Sequence, residues 1–288
     1  YQKGPSPVRI GTGGFSNVYK VSKKQMFAMK ELNDSGSQNK GIQRFISESQ
    51  ILFQLRHPCI IRIYGFNKGD DENPPSMILN LEPRSLENAI LDESLSRMEK
   101  RRIIVEIILG MRYIHSMNVI HRDLKPSNIL LSRNNHVRIS DFGLSFYDYP
   151  EINKTNSSGS LLIMAPELLS FSDDENLNYN HKIDVFAFSI ILYFVIVGKY
   201  PNIGINNVCA GIPLKVPSNM ANWVKEMIDS CRCVDPKKRP TFDDIFEKIK
   251  SHRYNIFSDT IDRSEDVSII EDRIKKIKAF EFLNINKT

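Results

Sequence analysis

The chain has 288 residues, 41% of them hydrophobic and 25% charged, and carries a formal net charge of +5 from 39 basic and 34 acidic side chains. That length can bury a sizeable core as one domain or as two lobes sharing a cleft, and the composition excludes a globally disordered chain. The positive excess is thin and dispersed, so nucleic-acid binding is not indicated; Lys237, Lys238, Arg239 and Lys275, Lys276, Lys278 read as solvated faces.

In chain order, 8–31 shows short apolar stretches broken by Gly11, Gly13 and Gly14 and closed by the polar run 33–36, a pattern for a small antiparallel sheet. From Ile42 to Leu55 the apolar residues approximate a helical stripe, ended by His57-Pro58. Two further strands are expected at Ile60–Tyr64 and Met77–Leu81, around the polar loop 67–75. After Leu86 long helical runs take over, at Lys100–Ser116, Lys182–Val197, Asn222–Cys231 and Phe242–Arg253. The apolar run Val185–Val197 falls short of the ~18 residues that a membrane span needs, so it is expected to be a buried core helix and no span is expected. Beyond a polar stretch at 258–266, Ile270, Ile274, Ile277 and Phe280 form an amphipathic stripe, with Ser268 and Glu271 as a candidate capping box. A sheet-rich lobe followed by a helix-rich one is an α+β order.

Cys59, Cys209, Cys231 and Cys233 lack metal-ligand spacing and read as reduced cytosolic thiols. No charged start followed by an apolar run is visible at Tyr1, so no secretory signal is expected and the chain reads as an excised domain. The glycosylation-like tripeptides at Asn153 and Asn156 are then chance matches.

Three segments carry chemistry. The turn Gly11-Thr12-Gly13-Gly14-Phe15-Ser16-Asn17-Val18, between two expected strands, suits close approach of backbone N–H groups to phosphates. Phe27-Ala28-Met29-Lys30 alternates as a strand and ends in a lysine able to pair with phosphate oxygens, with Glu48 on the following helix to hold it. His121-Arg122-Asp123-Leu124-Lys125-Pro126-Ser127-Asn128 is then followed by Asp141-Phe142-Gly143 and by Ala165-Pro166-Glu167. Together these resemble the catalytic loop and activation segment of eukaryotic-type protein kinases, over about residues 5–255.

The resemblance implies a bilobal kinase fold: a small β-rich N-lobe with one key helix (5–79), a hinge (80–82), a larger helical C-lobe (83–255) and a tail (256–288) that could be an amphipathic helix on the domain or on a partner. It implies Asp123 as acceptor of the substrate proton, Lys125 as a cation beside the transferring phosphoryl, and Asn128 and Asp141 as ligands of Mg²⁺ or Mn²⁺. ATP would be held by Ile10, Gly11, Thr12, Gly13 and Gly14, by Val18, Ala28 and Leu130 around the adenine, by Lys30 with Glu48, by Leu79 as gatekeeper, and by Asn80 and Glu82 in the hinge. Leu52, Ile63, Phe142 and His121 resemble the family's stacked spine anchored on Asp184, and Arg239 is expected to pair with Glu167.

Lys125 and the Gly159-Ser160 pair resemble serine/threonine kinases, so a cytoplasmic signalling enzyme phosphorylating protein Ser/Thr hydroxyls is implied. Asp184-Val185-Phe186-Ala187-Phe188 leans toward the tyrosine-kinase-like branch and keeps dual specificity as an alternative. Ser16 stands in place of the loop's third glycine, and a pseudokinase scaffold is the other alternative, although the strand lysine, helix glutamate, loop aspartate and metal aspartate are all present. Arg122 is expected to read a phosphate on Thr155, Ser157 or Ser158.

Overall fold

The N-terminal strands β1 (Val8–Thr12), β2 (Ser16–Lys23) and β3 (Gln25–Leu32) join β4 (Ile63–Asn67) and β5 (Ser76–Asn80) in an antiparallel sheet of order β1-β2-β3-β5-β4. The computed structural model describes residues 8–12, 16–23, 25–32, 38–70, 73–145, 163–169, 180–218, 220–257 and 264–285. The period of two along β3 divides its side chains between faces: Phe27 and Met29 pack with Ile78 and Tyr19 on one, leaving Ala28 and Lys30 for the other. Between β3 and β4 lies α1 (Gln38–Gln54), which buries Phe45, Ile51 and Leu52 together with Glu48.

The second region opens with β6 (Arg84–Ser85) and α2 (Leu86–Leu91), whose N-cap Ser85 accepts from the Asn88 amide. Helix α3 (Arg97–Ser116) starts earlier than its apolar pattern suggests because Ser96 and Glu99 form a reciprocal capping box. Strands β7 (Ile129–Leu131) and β8 (Val137–Ile139) complete a three-stranded sheet with β6, and α4 (Pro166–Leu169) precedes α5 (Lys182–Val197). Helix α5 is a core helix, as its composition implies, with Phe186, Phe188, Ile190 and Phe194 wholly buried, and Gly198 closes it in the left-handed conformation at φ 82°. No described helix is long and apolar enough to cross a membrane. Helices α6 (Ile205–Cys209), α7 (Asn222–Cys231), α8 (Phe242–Ser251) and α9 (Ser264–Ile285) follow.

Several expectations need correction. The strand expected at 60–64 begins at Ile63, because Ile60 and Ile61 leave the upper sheet to bond β8: the Ile61 amide donates to Ile139 and the Ile139 amide to Cys59. Ser268 is not an N-cap; α9 starts a turn earlier, with Glu265 and Asp266 facing its positive end and Val267 extending the buried stripe. The tail packs on the domain itself, burying Ile270, Ile274 and Ile277 in the main core. Arg239 is no solvated cation but 1% exposed.

Helix α9 also meets a charge. Glu106, in the middle of the apolar face of α3, is wholly buried and accepts from His136 at 2.8 Å, from the Val137 amide at 2.7 Å and from Arg273 of α9 at 2.6 Å. Burial alone would raise its carboxyl pKa, but the His136 hydrogen bond and the Arg273 charge hold it below the ordinary glutamate value. A depressed folded-state pKa means the contribution is complete above the unfolded value of about 4.3 and is lost as pH falls through the folded value. Glu106→Gln should therefore cost about 1–3 kcal/mol at neutral pH by urea denaturation, with the gap to wild type closing below pH about 4.

Candidate active site

One carboxylate organises the loop between α3 and β7. Asp184, in the first turn of α5 and 1% exposed, accepts from the His121 amide at 2.9 Å, the Arg122 amide at 2.9 Å and His115 Nε2 at 2.9 Å. Burial would raise its pKa, yet these donors, His115 first, hold it below the usual aspartate range and keep it charged. The main chain bonds fix Arg122 at φ 69°, a left-handed conformation that a side chain-bearing residue keeps only under such constraint. Asp141 shares that conformation, at φ 63°.

Downstream of Arg122 the loop presents Asp123. Lys125 Nζ donates to Asp123 Oδ2 at 2.7 Å, and Asn128 Nδ2 donates to the same oxygen at 2.9 Å and to the Asp123 carbonyl at 2.9 Å. The loop is tied to the segment bearing Asp141: the Ser140 amide and hydroxyl both donate to the Asn128 carbonyl, at 2.9 and 2.8 Å, and Ser145 Oγ donates to the His121 carbonyl at 3.0 Å. In the sequence, only its place directly before Asp141 hints at the role of Ser140 as a tie.

From the opposite side comes Lys30. Its Nζ donates to Glu48 Oε1 and Oε2 at 2.7 and 2.9 Å and to Asp141 Oδ1 at 3.1 Å, joining strand β3, helix α1 and the 141–143 turn. Burial acts to lower the Lys30 pKa, but the Asp141 and Glu48 charges outweigh it and hold the ammonium above the ordinary lysine value. Burial lifts Glu48 against the pull of Lys30, while Lys30 holds Asp141 below the normal aspartate range. Gly143 permits the approach, since a Cβ there would stand 3.2 Å from Glu48 Oε2.

Strand register arranges the remaining candidates. Val18 lies opposite Lys30 across β2–β3 and Ala28 opposite Leu79 across β3–β5, while Leu130 is half-buried on β7. Gly11 and Thr12 pair with Val18 and Asn17, next to a bulge at the exposed Ile10. Gly13 and Gly14 lie outside the described residues, as do Thr155, Ser157, Ser158 and Ser160. The Glu82 carboxylate is engaged by Asn80 at 3.2 Å and Arg138 at 3.4 Å, so its main chain is what it can offer a ligand. Leu52, Ile63, Phe142 and His121 are all buried, with the Phe142 and His121 rings 4.8 Å apart, and Arg239 forms a two-bond pair with Glu167 at 2.6 and 2.7 Å. Arg122 Nη1 donates to the Leu144 carbonyl at 3.3 Å.

Asp141 and Asn128 fit a hard divalent cation by their donor chemistry. Both offer oxygen, Asp141 stays ionised beside Lys30, and the Asn128 amide nitrogen is already spent on Asp123. No cluster of three or more His, Cys, Asp or Glu able to hold a metal occurs among the described residues. Two ligands suffice for an ion that completes its shell with phosphate oxygens and water.

A family model described as "protein kinase domain" matches residues 6–254. A probable serine/threonine-protein kinase of Dictyostelium discoideum is 31% identical over 256 residues, covering 82% of this chain and 26% of that protein. The dual specificity protein kinase shkB of the same organism is 29% identical, covering 82% and 38%, and the serine/threonine-protein kinase TNNI3K of Rattus norvegicus is 27% identical, covering 86% and 31%. The chain thus spans well under half the length of these curated relatives. With the paired Lys30 and Glu48, the Asp184-anchored loop and a family match across most of its length, the chain belongs to the protein kinase family.

Proposed function

We propose that this chain transfers the γ-phosphate of ATP to serine and threonine hydroxyls of protein substrates, and that its role is in signalling. The observation that carries this reading is the convergence of Lys30, Glu48 and Asp141 from one side with Asp123, Lys125 and Asn128 from the other. Phosphoryl transfer asks little covalent chemistry of a protein; it asks for alignment and for cations around the moving group.

In this reading Lys30 binds the α- and β-phosphates, oriented by Glu48. Asp123 accepts the substrate hydroxyl proton, and Asn128 and Lys125, both bonded to its Oδ2, fix which way that carboxylate faces. When phosphate arrives, Lys125 exchanges Asp123 for the transferring group and neutralises its charge. Asp141 and Asn128 would hold Mg²⁺ or Mn²⁺, which would neutralise the charge spread over the phosphate oxygens. Val18, Ala28 and Leu130 enclose the adenine, with Leu79 behind it and the main chain at 80–82 along its edge. The ordered Lys30–Glu48 pair supports an active enzyme over a pseudokinase scaffold.

Serine/threonine preference rests on Lys125 and on the serine/threonine kinases among the relatives; the dual specificity relative shkB supports dual specificity as a second reading. Incubation with ATP, Mg²⁺ or Mn²⁺ and peptides differing only in Ser, Thr or Tyr at the acceptor, read by mass spectrometry, should give phosphoserine and phosphothreonine. Phosphotyrosine at a comparable rate selects dual specificity, and no transfer to any peptide removes the enzyme reading. Asp123→Asn should lower the rate by about 10²–10⁴ while nucleotide binding by calorimetry stays unchanged. Lys30→Met should weaken nucleotide binding itself, and Arg239→Ala should lower thermal stability by leaving Glu167 unpaired in a largely buried site.

A further inference from the structure

Helix α9 lies beyond residues 6–254 that define the family, yet it reaches the segment that carries the active-site glutamate. That segment is α1, with Glu48, and the connection 55–62 that descends from it. The connection is claimed by the helical region at several points. The Arg56 amide donates to Tyr113 Oη at 3.1 Å, the His57 ring stacks on Tyr113 at 5.0 Å and 22°, and Cys59 and Ile61 exchange main chain bonds with Ile139. Gly110 gives the connection room: a Cβ there would stand 2.7 Å from Ile139 Cδ1 and 3.2 Å from Cys59 Cβ.

Within that connection His57 has a defined need. Its Nδ1 accepts from the Cys59 amide at 3.0 Å, so the proton sits on Nε2, and the side chain is wholly buried. The acceptor for Nε2–H is Glu281 Oε1, at 3.0 Å. Glu281 lies beside Phe280 at the end of the stripe, four residues after the buried Ile277 and so on the same face, and it is 28% exposed. The Arg273–Glu106 pair and the stripe set the register of α9, so Glu281 is presented at a fixed place.

We infer that Glu281 is a positioning residue for phosphotransfer: by satisfying His57 it holds the connection that follows α1, and so keeps Glu48 on Lys30. The inference rests on the kinase reading above. Helix α9 is then a built-in activating strap, acting from outside the family's own segment.

The test uses the full chain with Glu281→Ala, Glu281→Gln and Val267→Ala. Val267 is buried on the same helix, so its truncation reports loss of α9 packing alone. Glu281→Ala leaves a buried donor without an acceptor and should cut kcat/KM on a peptide substrate about tenfold, the rate equivalent of one such hydrogen bond. It should also speed hydrogen exchange of α1 amides at 42–54. Glu281→Gln keeps an acceptor oxygen and should restore both. Wild-type kinetics and α1 exchange in Glu281→Ala overturn the inference, as does an equal loss in Val267→Ala at matched Tm. If wild type transfers no phosphate, the kinase reading fails on its own, and α1 exchange in the same three variants still decides whether Glu281 holds α1.

Discussion

The buried carboxylate of Asp184 is the constraint on which the geometry of the candidate site rests. A charge with 1% exposure is tolerated only when its lone pairs are filled, and here two of the filling donors are the consecutive amides of His121 and Arg122. Those two bonds hold Arg122 in its strained conformation and aim the following residue, Asp123, at the cleft. Because α5 is surrounded by core on all sides, the anchor cannot drift, and the loop inherits its rigidity.

A second layer joins the two regions through Lys30. An ammonium bonded to two carboxylates from different elements is cohesive only while all three approach, so the triad couples β3, α1 and the 141–143 turn. Phe142, wedged against His121, links that turn back to the Asp184-held loop. The Glu167–Arg239 pair performs a similar service lower down, with the Arg239 guanidinium also lying 5.2 Å from the Phe186 ring centroid.

Much of the site was legible through the resemblance: the 121–128 loop, Asp141-Phe142-Gly143 and Lys30 with Glu48 match the protein kinase pattern in order, and Lys30, Glu48 and Asp141 meet in the structure as that pattern implies. Periodicity located α5 and α7 to the residue and gave β3 its two faces. What it could not carry were pairs distant in sequence. His57 and Glu281 are 224 positions apart and Glu106 and Arg273 are 167 apart, and no local pattern announces either partner. Glu106 left one hint, a lone acid inside the apolar run Ile103–Leu109; such a residue needs a buried partner, though the sequence does not name it. Periodicity misses the start of α9 because the turn opens with Ser264, Glu265 and Asp266, and acidic residues at a helix N-terminus are stabilised by the dipole without an apolar pattern.

The Glu106–Arg273 pair bears on where this protein can be cut. The family's recognisable segment closes at residue 254, whereas the arginine that neutralises the interior of α3 arrives only at 273. The segment that matches the family and the set of residues that surrounds this buried carboxylate therefore have different borders. A fragment trimmed to the shorter border would keep every residue of the cleft but leave the buried Glu106 carboxylate with His136 and the Val137 amide and without its arginine.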